Sequence, residues 1–563
     1  MHSLLALKNL SVNFSQGDEN LHAVKNISFD LIPGRLLALV GESGSGKSVT
    51  AMSLLQLLPP QAAVNGNLIF KNEAGITSDL AALSFKEMTA IRGKEISMIF
   101  QEPMTSLNPV FTCGYQVMEQ LIQHLNISKA EARKKTVELF KQVELPEPMA
   151  MLKRYPHELS GGQKQRVMIA MAISCNPSLL IADEPTTALD VRVQKNILQL
   201  IKDLQVENNM AVLLITHDLG LVADVADDIA VMYKGELVEY ADAKTILQSP
   251  SHPYTKALLA CRPVANSKGN ILPMVKDFMG DKQTDIHTTQ QRSIEIKDEA
   301  LVRVKDLSVH YTSRNVLFGK KREAFKAVDG VSFDIFKNET LGLVGESGCG
   351  KTTLGRAILQ LIKPTSGNVF LGDKDLTAMP ADALRKNRKD FQIVFQDPYG
   401  SLNPRISIGK AILEPMKVHG MMDNDKQRKE KVMQLLGQVS LQQDYYNRYP
   451  HQFSGGQRQR ICIARALALE PTFLVFDEAV SALDVSVQAQ VLNLINELKS
   501  THHFTSLFIS HDLAVVHYIC DRIMVMQAGK IIETGEADNL YYHPKEDYTR
   551  QLIDAIPGKN LIL

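Results

Sequence analysis

The sequence contains GESGSGKS at Gly41–Ser48 and GESGCGKT at Gly345–Thr352, two stretches of nearly the same sequence. Both match G-x-x-x-x-G-K-S/T, the pattern of a loop whose backbone N–H groups, lysine and hydroxyl bind phosphates and Mg²⁺. Each follows an apolar run, which in the first case is LLALV at Leu36–Val40. The pattern therefore predicts, twice, a buried strand, a phosphate loop and a helix that continues to a proline, Pro59 in one case and Pro364 in the other.

Three further motifs also occur twice, in the same order: FQEPMTSLNP and FQDPYGSLNP from Phe100 and Phe395, RYPHELSGGQKQR and RYPHQFSGGQRQR from Arg154 and Arg448, LLIADE and FLVFDE from Leu179 and Phe473. A repeat of this kind indicates two copies of one domain. We predict a first copy at residues 1–263 and a second copy at residues 300–563. The mostly polar, aperiodic residues 264–299 are predicted to be an exposed linker.

Length and composition agree with this division and exclude several classes. A chain of 563 residues is too long for one core, and 45% hydrophobic and 22% charged residues are ordinary globular usage. Lys plus Arg equals Asp plus Glu at 62 each, which disfavours a nucleic-acid partner. The six cysteines form no C-x-x-C pair, so we expect no zinc or iron–sulfur site. No apolar run approaches the ~18 residues of a membrane span and no signal peptide is evident, which predicts a cytosolic chain.

Within each copy, short apolar runs alternate with amphipathic stretches, as in an α/β fold with a mostly parallel sheet. An inserted helical subdomain is predicted before the SGGQ motif. Its evidence in the first copy is a shared face of Val117, Leu121 and Leu125, followed by the capping box Ser128-x-x-Glu131.

Paired carboxylates end an apolar strand in each copy. Beside a phosphate loop, Asp183 and Asp477 are expected to hold Mg²⁺, and Glu184 and Glu478 to polarise the attacking water. The same pattern predicts that Lys47 and Lys351 neutralise the γ-phosphate, with Ser48 and Thr352 on the metal.

Two other polar residues follow strands at matching places. His217 and His511 each end an apolar run and precede Asp-Leu, which favours a contact with the γ-phosphate. Gln101 and Gln396 precede a proline-containing loop, where an amide reaches Mg²⁺ or the lytic water while the loop contacts a partner. The SGGQ motifs open predicted helices, so their N–H groups and serine hydroxyls form an additional anion site.

This set of motifs resembles the ATP-binding-cassette (ABC) ATPases across both halves of the chain. The resemblance implies two tandem P-loop NTPase domains, each with a RecA-like α/β core, an antiparallel β subdomain and an inserted helical subdomain. It implies ATP and Mg²⁺ as cofactors and a head-to-tail arrangement in which the SGGQ motif of each copy caps the ATP of the other. Adenine would stack on Phe14 and Tyr311.

The resemblance also assigns the site residues. The catalytic residues would be Glu184, Glu478, His217, His511, Gln101 and Gln396, and the metal ligands Ser48, Gln101, Asp183, Thr352, Gln396 and Asp477. Besides the two aromatics, the nucleotide-binding residues would be Gly41, Ser43, Gly44, Gly46, Lys47, Ser48, Val49, Ser160, Gly161, Gly162 and Gln163 in the first copy, and Gly345, Ser347, Gly348, Gly350, Lys351, Thr352, Thr353, Ser454, Gly455, Gly456 and Gln457 in the second.

Smaller motifs narrow the resemblance. RYPH, SLNP and HPYTKALL at His252–Leu259, echoed by HPKEDYTRQLI at His543–Ile553, resemble the ATPase subunits of oligopeptide, dipeptide and nickel importers. Phrases such as DEAVSALDVS are most similar to those of glutathione importers. The resemblance implies two transmembrane permease subunits, a periplasmic or extracellular substrate-binding protein, and a peripheral location on the cytoplasmic face of the inner membrane.

Two other function classes stay open. A soluble tandem ATPase acting on ribosomes or DNA would be expected to carry a longer charged inter-domain helix, zinc cysteines or a basic balance, and the sequence has none of them. A nucleotide-binding scaffold without hydrolysis is disfavoured by Glu184 and Glu478. Since neither copy lacks a motif, we predict two hydrolytic sites. Ala479 replaces a proline of the first copy, and we expect this difference to have little effect on the chemistry.

Overall fold

The computed structural model describes residues 3–16, 19–72, 74–101, 106–187, 189–280, 297–311 and 325–559. Two compact units are present, one built mainly from residues up to 259 and the other from residues 260–277 and most of residues 297–556. No helix within the described ranges is both long and apolar enough to cross a membrane.

The described residues of the first copy form two sheets. Its strands are β1 (Leu5–Gln16), β2 (Glu19–Leu31), β3 (Leu36–Val40), β4 (Ala62–Lys71), β5 (Thr77–Asp79), β6 (Ile96–Ile99), β7 (Leu179–Asp183), β8 (Ala211–Thr216), β9 (Asp228–Tyr233) and β10 (Glu236–Asp242). The core sheet has the order β10-β9-β3-β8-β7-β6, in which only β10 pairs antiparallel. A separate antiparallel sheet has the order β2-β1-β4-β5. Because β3, β7 and β8 are buried throughout, their sequences are apolar apart from the last residues of β7 and β8, Asp183 and Thr216.

The helices of this part of the chain are α1 (Lys47–Leu54), α2 (Phe85–Ile91), α3 (Cys113–Leu125), α4 (Lys129–Gln142), α5 (Pro148–Met151), α6 (Gly161–Ile173), α7 (Val191–Asn208), α8 (Leu219–Val222), α9 (Ala243–Gln248), α10 (Pro253–Ala260) and α11 (Val275–Met279). Helices α3 to α5 form the predicted helical insertion. Val117 and Leu121 are buried, and the Ser128–Glu131 capping box opens α4 as expected.

The second copy repeats this architecture. Its strands are β11 (Lys297–Tyr311), β12 (Phe325–Lys337), β13 (Thr340–Val344), β14 (Ser366–Leu371), β15 (Lys374–Asp375), β16 (Phe391–Val394), β17 (Phe473–Asp477), β18 (Thr505–Ser510), β19 (Arg522–Gln527) and β20 (Lys530–Glu536). Its helices are α12 (Lys351–Ile358), α13 (Ala381–Asn387), α14 (Ile408–Val418), α15 (Asp425–Gln438), α16 (Gly455–Leu467), α17 (Val485–His502), α18 (Leu513–Ile519), α19 (Ala537–Tyr542) and α20 (Asp547–Asp554). The sheet orders β16-β17-β18-β13-β19-β20 and β12-β11-β14-β15 match those of the first copy. The α/β fold with antiparallel and helical subdomains is therefore confirmed.

The helices after the phosphate loops are shorter than predicted. They end at Leu54 and Ile358, well before Pro59 and Pro364. In each case a left-handed residue lies just beyond the helix, Gln56 with φ 49° and Gln360 with φ 52°. A left-handed residue cannot continue a right-handed helix, so the chain turns before the proline is reached.

The expectation of an exposed linker is wrong for the early part of residues 264–299. Leu272 is only 1% exposed and belongs to the hydrophobic core of the second copy. Leu272 N donates to Asn493 Oδ1 (3.0 Å), and Asn493 Nδ2 donates to Leu272 O (2.8 Å). The buried side chain of Leu272, with its backbone N–H and C=O both hydrogen-bonded, attaches this mostly polar segment to the second copy. Residues 281–296 of the predicted linker lie outside the described residues. Strand β11 begins at Lys297, inside the predicted linker. The boundaries at 263 and 300 stay predictions.

Candidate active site

The phosphate loops have the geometry that their glycines predict. Each lies between a buried strand, β3 or β13, and a helix, α1 or α12. Gly46 has φ 101° and Gly350 φ 110°, a region that favours glycine. A Cβ atom would lie 2.5 Å from Ala23 O at Gly46 and 2.0 Å from Ala327 O at Gly350. Any other residue at these two positions would therefore disturb the loop.

The two lysines of the loops are buried and bound to the loop itself. Lys47 Nζ donates to Gly41 O and Glu42 O, both at 2.8 Å. Lys351 Nζ donates to Gly345 O at 2.7 Å and Glu346 O at 2.9 Å. The carbonyl groups hold each ammonium inside its loop, which is where the predicted phosphate contact requires it.

Two of the three predicted metal ligands of each copy are in contact, whereas the third, Gln101 or Gln396, donates to the neighbouring glutamate. Ser48 Oγ donates to Asp183 Oδ1 at 3.0 Å, and Thr352 Oγ1 donates to Asp477 Oδ1 at 2.9 Å. Burial raises the pKa of Asp183 to about 6 and also raises that of Asp477. A buried carboxylate and a hydroxyl form a hard-oxygen donor set, and such a set beside a phosphate loop fits Mg²⁺.

Glu184 is the centre of a polar cluster in the first copy. Gln101 Nε2 donates to its Oε2 at 3.1 Å, Thr187 Oγ1 donates to the same oxygen at 2.9 Å, and His217 Nδ1 lies 3.5 Å from Oε1. Burial alone would raise the pKa of Glu184, but His217, Thr187 and Lys47 outweigh burial and lower it to about 2. The carboxylate is therefore ionised at neutral pH, as a proton acceptor must be.

Glu478 has a similar cluster in the second copy. Gln396 Nε2 donates to Glu478 Oε2 at 2.8 Å, and His511 Nδ1 lies 3.5 Å from the same oxygen. Lys351 Nζ lies 4.0 Å from Oε1. Burial alone would raise the pKa of Glu478, but His511 and Lys351 outweigh it and lower the pKa.

Both glutamates have a left-handed backbone, with φ 46° at Glu184 and φ 50° at Glu478. The left-handed region is uncommon for a residue with a long side chain, and such backbone strain is concentrated at functional sites. The sequence motif does not reveal this feature.

The SGGQ motifs begin helices, as expected. Ser160 caps α6 and Ser454 caps α16: in each, the serine hydroxyl accepts from the glutamine N–H three residues later, and the glutamine Oε1 accepts from the serine N–H. The serine and the first glycine of each motif are exposed. Each motif therefore presents a helix N-terminus on the surface of its own copy.

The predicted adenine contacts have different surroundings. Phe14 is partly buried and packs against the core of the first copy, whereas Tyr311 ends β11 and is exposed. Their role stays a prediction. Val49 and Thr353 lie in the first turns of α1 and α12, which begin directly after the loops that contain Ser43, Gly44, Ser347 and Gly348.

Sequence reasoning missed Thr187 as a partner of Glu184. The signal was its position, three residues after the glutamate in DEPTTALD, where a turn returns the hydroxyl to the carboxylate. The six cysteines are free thiols, all buried except the half-buried Cys175. Burial raises the pKa of Cys349 in the second loop, which disfavours a reactive thiolate there.

Two family models match the chain. The model described as ABC transporter matches residues 24–187 and 328–481, and the model described as oligopeptide/dipeptide transporter, C-terminal region, matches residues 238–280. Together the two ABC matches cover both phosphate loops and both carboxylate pairs.

Curated proteins similar to the chain along nearly its whole length include the glutathione import ATP-binding protein GsiA of Pectobacterium atrosepticum, 46% identical over 98% of this chain and 89% of that protein. GsiA of Escherichia coli O157:H7 is 45% identical over 99% of this chain and 90% of that protein. Among solved structures, a dimeric post-hydrolysis state of the ATP-binding cassette MJ0796 bound to ADP and Pi is 26% identical, covers 42% of this chain and 98% of that one, and has a TM-score of 0.38.

Proposed function

This chain belongs to the ABC transporter family as the ATPase subunit of an importer, and we propose that its cargo is glutathione or another small peptide. The observation that carries the cargo proposal is the 46% identity over 98% of the chain to a relative named for glutathione import. The match to the oligopeptide/dipeptide C-terminal region supports a general peptide cargo as the second candidate.

In the proposed mechanism each copy binds one ATP in its own phosphate loop. Lys47 and Lys351 neutralise the γ-phosphate, and the loop amides hold the phosphate oxygens. Ser48 and Asp183 would hold Mg²⁺ in the first copy, and Thr352 and Asp477 in the second, with Gln101 and Gln396 nearby. When bound, the ion supplies positive charge that offsets the charge of the phosphates.

Glu184 and Glu478 are proposed to accept the proton of the attacking water. Their lowered pKa values keep them ionised, and the glutamine and histidine of each copy hold the carboxylate in place. His217 and His511 contact the transferred phosphate as they orient the glutamate. By resemblance, Ser160–Gln163 and Ser454–Gln457 complete the ATP site of the opposite copy.

The proposed partners are two transmembrane permease subunits and, through them, a substrate-binding protein outside the membrane. The chain would act at the cytoplasmic face of the inner membrane, bound to the permeases by protein contacts. ATP binding and hydrolysis would move the loops that begin at Gln101 and Gln396, and the helical insertions with them.

The test is reconstitution of the chain with its permeases and binding protein in liposomes. We expect glutathione to stimulate ATP hydrolysis and to be accumulated, with dipeptides, oligopeptides and nickel as comparison cargoes. Stimulation by nickel, but by neither glutathione nor a peptide, would overturn the cargo proposal. Stimulation by dipeptides or oligopeptides but not by glutathione would favour the second candidate, a general peptide cargo. Purification with ribosomes and without hydrophobic subunits would overturn the importer assignment.

A further inference from the structure

The motif HPYTKALL and its echo HPKEDYTRQLI have no role in the chemistry described above. They form α10 and α20 near the end of each copy, and each contains a buried tyrosine, Tyr254 with no exposed surface and Tyr548 with 7%. A buried tyrosine hydroxyl needs a hydrogen-bond partner. Its partner shows what the motif contacts.

The hydroxyl of each tyrosine accepts a hydrogen bond from the phosphate loop of its own copy. Glu42 N donates to Tyr254 OH at 3.0 Å, and Glu346 N donates to Tyr548 OH at 3.0 Å. These partners are 212 and 202 residues apart in the sequence. The same long-range contact therefore occurs independently in both copies.

The peptide group that donates to the tyrosine also holds the lysine of the loop. The Glu42 N–H and the Gly41 carbonyl are two ends of one planar peptide unit, and Gly41 O accepts from Lys47 Nζ at 2.8 Å. In the second copy Gly345 O accepts from Lys351 Nζ at 2.7 Å. One peptide is thus fixed by the tyrosine on one side and by the ammonium on the other.

A carboxylate on the edge strand anchors the motif that carries the tyrosine. Glu239 on β10 accepts from Ser251 N at 2.7 Å and His252 N at 3.2 Å. Glu533 on β20 accepts from Lys545 N at 2.8 Å and from the N–H of the next residue. Charge-assisted hydrogen bonds of this kind are strong and directional. The helix and its tyrosine therefore have a defined position relative to the loop.

The repeat shows which residue of the motif matters. The His-Pro dipeptide directly precedes Tyr254 but lies several residues before Tyr548. The tyrosine, in contrast, stands two residues after the second anchored N–H group in both copies and keeps its hydrogen bond to the loop.

We propose that Tyr254 and Tyr548 are positioning residues that fix the first peptide of their phosphate loops and so orient Lys47 and Lys351 for ATP. This inference rests on the proposed role of the loops in ATP binding. Removing the hydroxyl deletes this hydrogen bond to a partly buried N–H, and the first peptide of the loop loses one of the contacts that fix it. The loss falls on nucleotide binding more than on the chemical step, because neither tyrosine touches Glu184 or Glu478.

The experiment uses the full chain with Tyr254→Phe in a Lys351→Ala background, so that only the first copy binds ATP, and Tyr548→Phe in a Lys47→Ala background. The probe is a fluorescent ATP analogue with Mg²⁺. We expect the dissociation constant to rise about tenfold in each variant, the typical cost of an orphaned backbone donor. The KM for ATP should rise in parallel when Tyr254→Phe and Tyr548→Phe are made alone, with kcat within about twofold of the unaltered chain.

The matched control is Tyr233→Phe. The ring centroid of Tyr233 lies 4.3 Å from that of Tyr254, so this variant loses a hydroxyl from the same region. It should bind the analogue as the unaltered chain does. Hydrogen exchange of residues 41–47 in the nucleotide-free protein gives an independent reading, and exchange should be faster in Tyr254→Phe and unchanged in Tyr233→Phe.

Unaltered affinity and exchange in both tyrosine variants would overturn the inference. Failure of the proposed loop function is distinguishable, because Lys47→Ala combined with Lys351→Ala would then still bind the analogue. Should Tyr254→Phe not fold, Tyr548→Phe decides the question in the second copy.

Discussion

The two copies hold the same hydrolytic residues in nearly the same contacts, but the side chains around them differ. In both, a glutamine and a histidine approach the glutamate, and a hydroxyl donates to the aspartate. The copies differ in two further side chains near the carboxylates, one beside the glutamate and one beside the aspartate. The comparison teaches that a duplicated site can keep its reacting groups while changing their electrostatic setting.

The first difference concerns the glutamate. Thr187 Oγ1 donates to the carboxylate of Glu184, whereas the corresponding Ser481 Oγ donates to the backbone carbonyl of Glu478. The carboxylate of the first copy thus has one more donor.

The second difference concerns the aspartate. Arg356 on α12 places its guanidinium 3.8 Å from Asp477 Oδ2, and its positive charge opposes the rise in the pKa of Asp477 that burial causes. The corresponding residue on α1 is Met52, which brings no charge to Asp183.

Among the residues that contact the glutamates, the largest effect is expected from the shared histidines. His217→Ala and His511→Ala should each reduce hydrolysis in the altered copy about a hundredfold, the typical loss for one contact to a developing charge. Single-turnover hydrolysis, with the other copy inactivated through its lysine, measures each copy. A large loss in one copy and none in the other would break the equivalence of the two clusters.

A smaller effect should separate the glutamates. Thr187→Val removes a donor from Glu184, which raises the pKa of the carboxylate from about 2 and loosens its orientation, so turnover of the first copy should fall about three- to tenfold. Because the pKa rises, activity should be lost at a higher pH on acidification than in the unaltered chain.

The matched control for that prediction is Ser481→Ala in the second copy. Its hydroxyl bonds to a carbonyl and not to the carboxylate, so turnover and its acid limb should stay as they are. Equal losses in Thr187→Val and Ser481→Ala would show that the hydroxyls only stabilise the turn.

The smallest effect concerns the metal. Arg356 is half exposed, so its repulsion of a divalent cation at Asp477 is screened by water and should change affinity only about threefold. Arg356→Met should lower the Mg²⁺ concentration that half-saturates the second copy, and Met52→Arg should raise it in the first. Mn²⁺ binding followed by electron paramagnetic resonance in the presence of an ATP analogue measures both. A higher half-saturating concentration in Arg356→Met, or a lower one in Met52→Arg, would contradict the electrostatic comparison.

The sequence predicts local features of the fold well and distant contacts poorly. Leu36–Val40 and the Ser128–Glu131 capping box are local patterns of apolar residues and cap chemistry, and the structure has both. Likewise, parallel strands bring their carboxyl ends to one edge, which is why Asp183 and Ser48 could be expected to meet.

Other features depend on tertiary contacts that leave no local pattern. Leu272 is one apolar residue in a polar stretch, and nothing near it indicates that Asn493 satisfies its backbone. The hydrogen bond from Glu42 N to Tyr254 OH joins residues 212 positions apart, and the left-handed backbone of Glu184 comes directly after β7 without a glycine to indicate it. Such features are determined by the folded surroundings and not by neighbouring residues.

That both copies hydrolyse ATP is tested most directly by the steady-state turnover of Glu184→Gln and Glu478→Gln, made singly and together. The amide keeps the size of the side chain but cannot accept the proton, which typically costs 10²- to 10⁴-fold in rate at the altered site. We predict that neither single variant keeps the turnover of the unaltered chain and that the double variant loses nearly all of it. Unaltered turnover in one single variant, with abolished turnover in the other, would contradict the claim.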